Sequence, residues 1–200
     1  MKKFCIIFIC LIFFHNVTSA TTYSSDPEQF VSELVQDAVN KLSDNKVSDE
    51  DKTSYIEKIA LENVDIKGLG LYTLGEIRKS ANEEDVKNFQ IIFEKYFLKS
   101  ITSRLKDYST NEFKVIGADV KSSNYTIIKS KIAASENKPE IKIDWRIYTK
   151  NPSKPLIRDL IVEGLSLART QREEFSSILS SNNNDIKSLI LKLEEFINNS

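Results

Sequence analysis

Ile141-Lys142-Ile143-Asp144-Trp145-Arg146-Ile147-Tyr148-Thr149 is the stretch on which the fold turns. Its apolar residues, Ile141, Ile143, Trp145 and Ile147, occupy alternate positions, and Lys142, Asp144, Arg146 and Tyr148 stand between them. A period of two belongs to a strand with one face on a core and the other toward water. Two earlier segments, 113–120 and 125–132, and a later one, 156–163, also read as strands. The breaks between them carry Ser122-Ser123-Asn124, Glu136-Asn137-Lys138-Pro139 and Asn151-Pro152-Ser153, which are turn residues. Connections this short favour an antiparallel meander of about four strands.

Outside that block the period becomes helical. In 26–42, Asp26 can cap a helix with Pro27 at its first position, and Phe30, Leu34, Val35, Ala38 and Leu42 form one stripe. Ser48, followed by Asp51, opens a second helix over 48–59 as an imperfect capping box. In 64–75, Gly68, Gly70 and Gly75 interrupt Leu69, Leu71, Tyr72 and Leu74, which predicts short helical turns. The longest pattern, 82–108, recurs at steps of three and four through Phe89, Phe93, Tyr96, Phe97, Ile101, Leu105 and Tyr108. Two more helices close the chain: 166–180, with Leu165, Ala168, Phe175 and Leu179, and 185–197, with Ile186, Leu189, Leu193 and Phe196. Helices, then strands, then helices define an α+β fold: a curved antiparallel sheet wrapped by N- and C-terminal helices. No repeat or linker divides residues 21–200, so one domain is expected.

The first twenty residues stand apart. Lys2 and Lys3 precede an unbroken apolar run over 4–14, and Thr18 and Ala20 are small. This is the plan of a secretory signal peptide cut after Ala20. The 11-residue run is well short of the roughly 20 residues that span a bilayer. Ile9 before Cys10 does not fit a lipoprotein signal. Cleavage would remove Cys5, Cys10 and His15, the only residues of their kinds in the 200-residue chain. The remaining protein could form no disulfide and would rest on its core alone, which a chain with 40% hydrophobic and 28% charged residues can build. Without Lys2 and Lys3 the 28 basic residues fall to 26 against 29 acidic ones, a net charge of about −3. That balance does not suit nucleic acid, which requires a basic face.

The remaining side chains restrict the chemistry. Without His or Cys, the usual nucleophile and base pairs and zinc sites lose their preferred groups. Asp44-Asn45 and Asp49 to Asp51 lack the spacing of a calcium loop, and Gly68-Leu69-Gly70 lacks the Lys and Ser/Thr of a phosphate loop. Asp144, Tyr148, Asp159 and Glu163 are the acid/base candidates, because a cone-shaped α+β domain can carry isomerase or hydratase chemistry on an Asp and a Tyr. Asp144 and Tyr148, however, share the face opposite Trp145. Neither an enzyme nor a resident cofactor is therefore expected. The apolar interior is offered by Ile141, Ile143, Trp145 and Ile147 on the sheet and by Phe93, Phe97 and Ile101 on the long helix. Composition and period leave open whether that interior is filled or hollow.

Asp144-Trp145-Arg146, then Asp159-Leu160-Ile161-Val162-Glu163-Gly164-Leu165-Ser166-Leu167, then Arg172-Glu173-Glu174-Phe175 resemble the MlaC, or toluene-tolerance, family of periplasmic phospholipid-binding proteins. The closing segment from Asp185 to Leu193, the pair Leu74-Gly75, and Phe89, Phe93, Tyr96, Leu105 and Tyr108 fit the same pattern, so the similarity spans nearly all of 21–200. The chain departs from it at Ile77, at Leu165, and at Asn151-Pro152-Ser153-Lys154-Pro155, which replaces a glycine-containing turn.

The resemblance implies a cone-like fold with an internal apolar pocket holding phospholipid acyl chains. Its lining would be Ile141, Ile143, Trp145, Ile147, Val162, Leu165, Phe93, Phe97 and Ile101. The family's members look like monomeric shuttles that maintain outer-membrane lipid asymmetry. They exchange lipid with an outer-membrane lipoprotein complex and with an inner-membrane ABC transporter through its MCE-domain subunit. Each CH₂ withdrawn from water is worth roughly 0.8 kcal/mol, so two acyl chains need no charged clamp. Two rivals remain at this stage: the isomerase or hydratase, which needs a carboxylate inside the cavity, and a protein-binding module with a solid core.

Overall fold

The computed structural model describes residues 23–105, 112–134 and 139–199. The leader 1–20 and the end of the long aromatic helix at Tyr108 lie outside these residues.

Helices open the chain. α1 (Pro27–Ser43) is capped by the Asp26 carboxylate, which accepts from the Glu28 and Gln29 amides, with Pro27 in the first turn. α2 (Asp49–Asn63) is capped by Ser48, which accepts from the Asp51 amide, as the capping box predicts. Each such cap is worth about 1 kcal/mol. α3 (Ile66–Thr73) is capped by Asp65 and continues into a 3₁₀ turn, Gly75–Lys79. Gly68 and Gly70 do not break α3. A Cβ on Gly70 would come 2.9 Å from the Phe93 ring, so a glycine there lets α3 approach the long helix α4 (Glu83–Leu105).

Five strands follow: β1 (Phe113–Ser122), β2 (Tyr125–Ile132), β3 (Ile141–Tyr148), β4 (Leu156–Val162) and the two-residue β5 (Leu165–Ser166). They pair antiparallel in the order β1-β2-β3-β4-β5, an unclosed meander with one strand more than the four expected. The extra strand comes from a tight reversal at Glu163-Gly164. Their φ angles of +49° and +82° match a type I′ hairpin turn, which folds Leu165–Ser166 back onto Ile161–Val162. Glycine at the second position adopts that angle without strain. The Glu163 carboxylate accepts from the Lys142 amide and pins the turn to β3. The chain ends in α5 (Leu167–Ser181), capped by Ser166, and α6 (Ile186–Asn199).

Two cores result. The helical core joins Phe89 and Phe93 of α4, Phe175 and Leu179 of α5, Leu189 and Leu193 of α6, with Ile66 and Leu74. The Phe175 ring stands edge-on to Phe89 and Phe93, with centroids 6.1 and 6.2 Å away. Such pairs contribute about 0.5–1.5 kcal/mol beyond their buried area. The sheet core joins Phe30, Val31 and Leu34 of α1 and Ile59 of α2 with Ile128, Trp145, Ile147 and Ile157. Val64 packs against both cores. It also forms a parallel bridge to Ile157 on the β4 edge.

Candidate functional site

Strand register defines one continuous sheet face. Trp145 stands opposite Ile128 of β2 and Leu160 of β4, Ile143 opposite Ser130 and Val162, and Ile141 opposite Ile132. Directly opposed residues in antiparallel strands point the same way. The face therefore carries Thr126, Ile128, Ser130 and Ile132 of β2, the four apolar residues of β3, and Ile157, Leu160 and Val162 of β4. Phe113 and Val115 of β1 extend it. Apart from Thr126 and Ser130, every one of these side chains is apolar.

Ser130 is placed by Trp145. The indole Nε1 donates to Ser130 Oγ at 2.8 Å, and that hydroxyl donates to the Ile143 carbonyl at 2.8 Å. The indole can thus lie in an apolar face with its N–H satisfied, while the Phe113 ring meets it edge-on at 6.1 Å. Neither Ser130 nor Phe113 could be singled out from the sequence, because pairing to Trp145 requires the register.

Burial falls off along β3. Ile147 is fully covered and Trp145 is 8% exposed. Ile143, Ile141 and their neighbours Ile132 and Val162 are only half-buried, and the last three join neither core. The face is closed beneath α1 at its Ile147 end and opens into an apolar lip at its Ile141 end.

The nine expected lining residues do not all meet. Ile143, Trp145 and Ile147 belong to the sheet core, with Ile141 and Val162 at its lip. Phe93 is 2% exposed inside the helical core, and Phe97 packs against that core. Ile101 is half-buried in neither. Leu165 pairs with Val162 and so shares its face, but at the edge of the sheet beside the Glu163-Gly164 turn it is 69% exposed.

Both faces of β4 mix apolar and charged residues, so its sequence does not show which face looks inward. The pairing slips between Arg146 and Ile147, where Arg158 is the extra residue on β4. Ile157 and Leu160 consequently both face inward, three residues apart.

The carboxylates lie on the other face. Asp144 stands opposite Ile161, and Asp159 opposite Arg146. Asp159 is buried by the start of α5, where its Oδ2 accepts from Ser166 Oγ at 2.6 Å and its Oδ1 from the Ala168 amide at 2.9 Å. Arg146 Nη1 approaches it at 3.5 Å. The Asp-to-Ser spacing in Asp159-Leu160-Ile161-Val162-Glu163-Gly164-Leu165-Ser166 is thus explained as a buckle. The turn returns the chain so that the aspartate on β4 holds the first turn of α5. With these donors engaged, Asp159 has no geometry for an isomerase base acting in a cavity on the Trp145 face.

Against the sheet core, Tyr23 donates to Asp37 Oδ2 at 3.2 Å next to Tyr55. Burial, followed by the proximity of Tyr55 and Asp37, pushes the Tyr23 phenol far above its ordinary range. Burial raises Tyr55 as well. Among the described residues, no group of acidic side chains is arranged to hold a metal, and no helix is long and apolar enough to cross a membrane. An open groove of about 330 Å³ lies between α3, the 3₁₀ turn and α5, and a shallower one of about 410 Å³ between α3 and α5; none of the nine expected residues borders them.

Comparison with known proteins adds three findings. The family model described as MlaC protein matches residues 29–195. A phospholipid-binding protein from Ralstonia solanacearum, solved in complex with a phospholipid, has the same fold. Its TM-score is 0.69 over 84% of this chain and 94% of that one, at 16% sequence identity. No curated protein sequence matches the chain.

Proposed function

The chain belongs to the MlaC family, and from that premise we propose that it is a phospholipid carrier whose acyl-chain site is the Trp145 face of the sheet. The observation that carries this reading is the composition of that face. Apart from Thr126 and Ser130 it is apolar from Phe113 across to Val162, its one buried indole N–H is satisfied internally, and Asp144 and Asp159 point away from it. A surface of this kind can hold hydrocarbon but offers nothing to a reacting group. The Ralstonia solanacearum protein of the same fold binds a phospholipid, which supports the same ligand class here.

Entry would begin at the half-buried lip of Ile132, Ile141 and Val162. Around Trp145 and Ile147 the face is packed by α1 and α2, so tails reaching that depth would displace side chains of Phe30, Val31 and Leu34. Burying acyl chains at roughly 0.8 kcal/mol per CH₂ offsets that loss. Release would then need a partner that buries the tails in turn.

The remaining assignments follow from the family and the leader. The leader would be cut after Ala20 and residues 21–200 would act in the periplasm as one monomeric domain. They would pass lipid between an outer-membrane lipoprotein complex and the MCE-domain subunit of an inner-membrane ABC transporter. No cofactor is called for beyond the lipid cargo.

The test is extraction of the protein purified from its own cell envelope, with mass spectrometry of the extract. Phospholipid near one mole per mole is expected. Recovery of none, from protein shown to be folded, would overturn the reading.

A further inference from the structure

Within Arg172-Glu173-Glu174-Phe175, the helical core accounts for Phe175 but not for Arg172. The two grooves of about 330 and 410 Å³ share Arg172 and Ser176 in their walls, and Arg169 and Glu173 line the second. The Arg172 guanidinium lies 5.1 Å from the centre of the Tyr72 ring. A Cβ on Gly75, whose φ is +65°, would come within 3.4 Å of its Nε. The guanidinium therefore lies between α3 and the 3₁₀ turn. Among the described residues no carboxylate pairs with it. Glu76 also lines the first groove, and its carboxyl is held down by its hydrogen-bonded partner Lys79 at 2.7 Å and in part by the Arg172 charge; Glu174 accepts from the Gln171 amide at 2.9 Å.

A guanidinium beside an aromatic ring is planar and presents its outer N–H groups as a fork. That fork matches two oxygens of one phosphate or carboxylate group. Ser176 adds a hydroxyl beside it, and Arg169 a second positive charge. Glu173 on the same wall counts against a dianion. Either groove exceeds the size of a single phosphate group.

We propose that this groove binds a phosphodiester monoanion, gripped by Arg172 with Ser176 and Arg169 alongside. The site does not depend on the carrier reading, because it shares no residue with the Trp145 face. Its ligand could come from a free glycerophosphodiester or from a headgroup presented by a lipid surface; the recognising chemistry is the same.

The test uses the full processed protein in two arms. The first titrates it with glycerophosphoethanolamine and with inorganic phosphate, read by calorimetry. The second measures flotation with phosphatidylglycerol vesicles. Saturable binding is expected in at least one arm, weakened roughly tenfold or more by R172Q. Binding of the soluble diester points to the free source, and binding of vesicles alone points to the headgroup. Stronger binding of inorganic phosphate than of the diester would overturn the monoanion assignment. S176E, which adds a carboxylate at an exposed position on the groove wall, should abolish binding even if R172Q proves unstable. No binding in either arm up to about 10 mM, or equal binding by wild type, R172Q and S176E, would overturn the proposal.

Discussion

Replacing Asp159 separates a structural buckle from a reacting carboxylate. Its side chain is 3% exposed and receives two hydrogen bonds, from Ser166 Oγ and the Ala168 amide. In D159A the Ser166 hydroxyl can turn elsewhere, but the Ala168 amide remains buried without an acceptor. An orphaned buried donor costs about 1–3 kcal/mol, and each bond to a charged acceptor contributes about 1.5–3 kcal/mol. Allowing for overlap between these, D159A should lose about 3 kcal/mol. The Arg146 contact adds little, since that side chain is 35% exposed and 3.5 Å away. D159N keeps one acceptor for the Ala168 amide and a shape that fits, so it should lose about 1 kcal/mol. For a chain of this size those losses correspond to melting temperatures lower by about 6–12 °C and 2–4 °C. Thermal unfolding followed by circular dichroism gives the shifts, and lipid content per mole, measured well below the melting point, should stay at the wild-type value in both variants. Near-wild-type stability of D159A, or loss of ligand by a stable D159N, would refute the buckle.

The other expectations concern the sheet face and the Tyr23 contact. I147A removes a fully buried side chain and should cost about 2–5 kcal/mol in urea unfolding. I141D, at the half-buried lip, should leave stability within about 1 kcal/mol but cut lipid content several-fold, because it places a charge where the tails enter. Trp145 is the only tryptophan in the chain, so selectively excited tryptophan fluorescence reports on this face alone. Its emission should shift to the red when detergent strips the lipid, and an unchanged spectrum would remove Trp145 from the site. The raised Tyr23 pKa has a definite sign: the fold favours the protonated phenol. Its contribution is complete below the unfolded value near 10 and is lost as pH rises beyond it. Y23F should therefore be less stable than wild type at pH 7 and lose less stability between about pH 9.5 and 11.

Legibility followed the range of the interaction. The period of two in Ile141-Lys142-Ile143-Asp144-Trp145 was enough for β3 because each residue there answers only to its own face. The caps at Asp26 and Ser48 were equally local. β4 was legible as a strand but its inward face was not, because the extra residue at Arg158 changes the phase halfway along and nothing in Leu156-Ile157-Arg158-Asp159-Leu160 marks a bulge. β5 failed because two residues have no period; only pairing makes them a strand. Phe93 shows the limit for the site. Its spacing on α4 correctly marked it as inward, but a helix with an apolar stripe does not say which of two cores that stripe enters. The turn pairs Leu165 with Val162 on one face, and only its place on the edge strand, which sequence does not reveal, leaves it 69% exposed.

The two cores bear on how a lipid could be taken up. They touch through Val64, and the same place is fastened by the Asp65 amide donating to the Ile157 carbonyl at 2.9 Å. Arg158 Nε reaches Asp65 Oδ2 at 2.6 Å while its guanidinium lies 3.4 Å over the Tyr148 ring. The helical half is thus attached to the β4 edge by backbone pairing, an ion pair and a stacked cation. Among the described residues no such backbone pairing ties α1 to the sheet face, whereas α2 ends at Val64 in that attachment; apolar packing from Phe30, Val31, Leu34 and Ile59 covers the face. Apolar contacts are non-directional and can be exchanged for other apolar contacts, whereas hydrogen bonds lost in the interior leave polar groups unmet. Hydrocarbon entering at the Ile141 lip would therefore replace the α1 contacts at little net cost and leave the β4 attachment intact. On this argument α1 moves on loading while α3 to α6 hold their position against β4. Hydrogen exchange with and without lipid should change protection in α1 and leave it unchanged along β4. Equal changes in both would mean the molecule does not divide where its cores do.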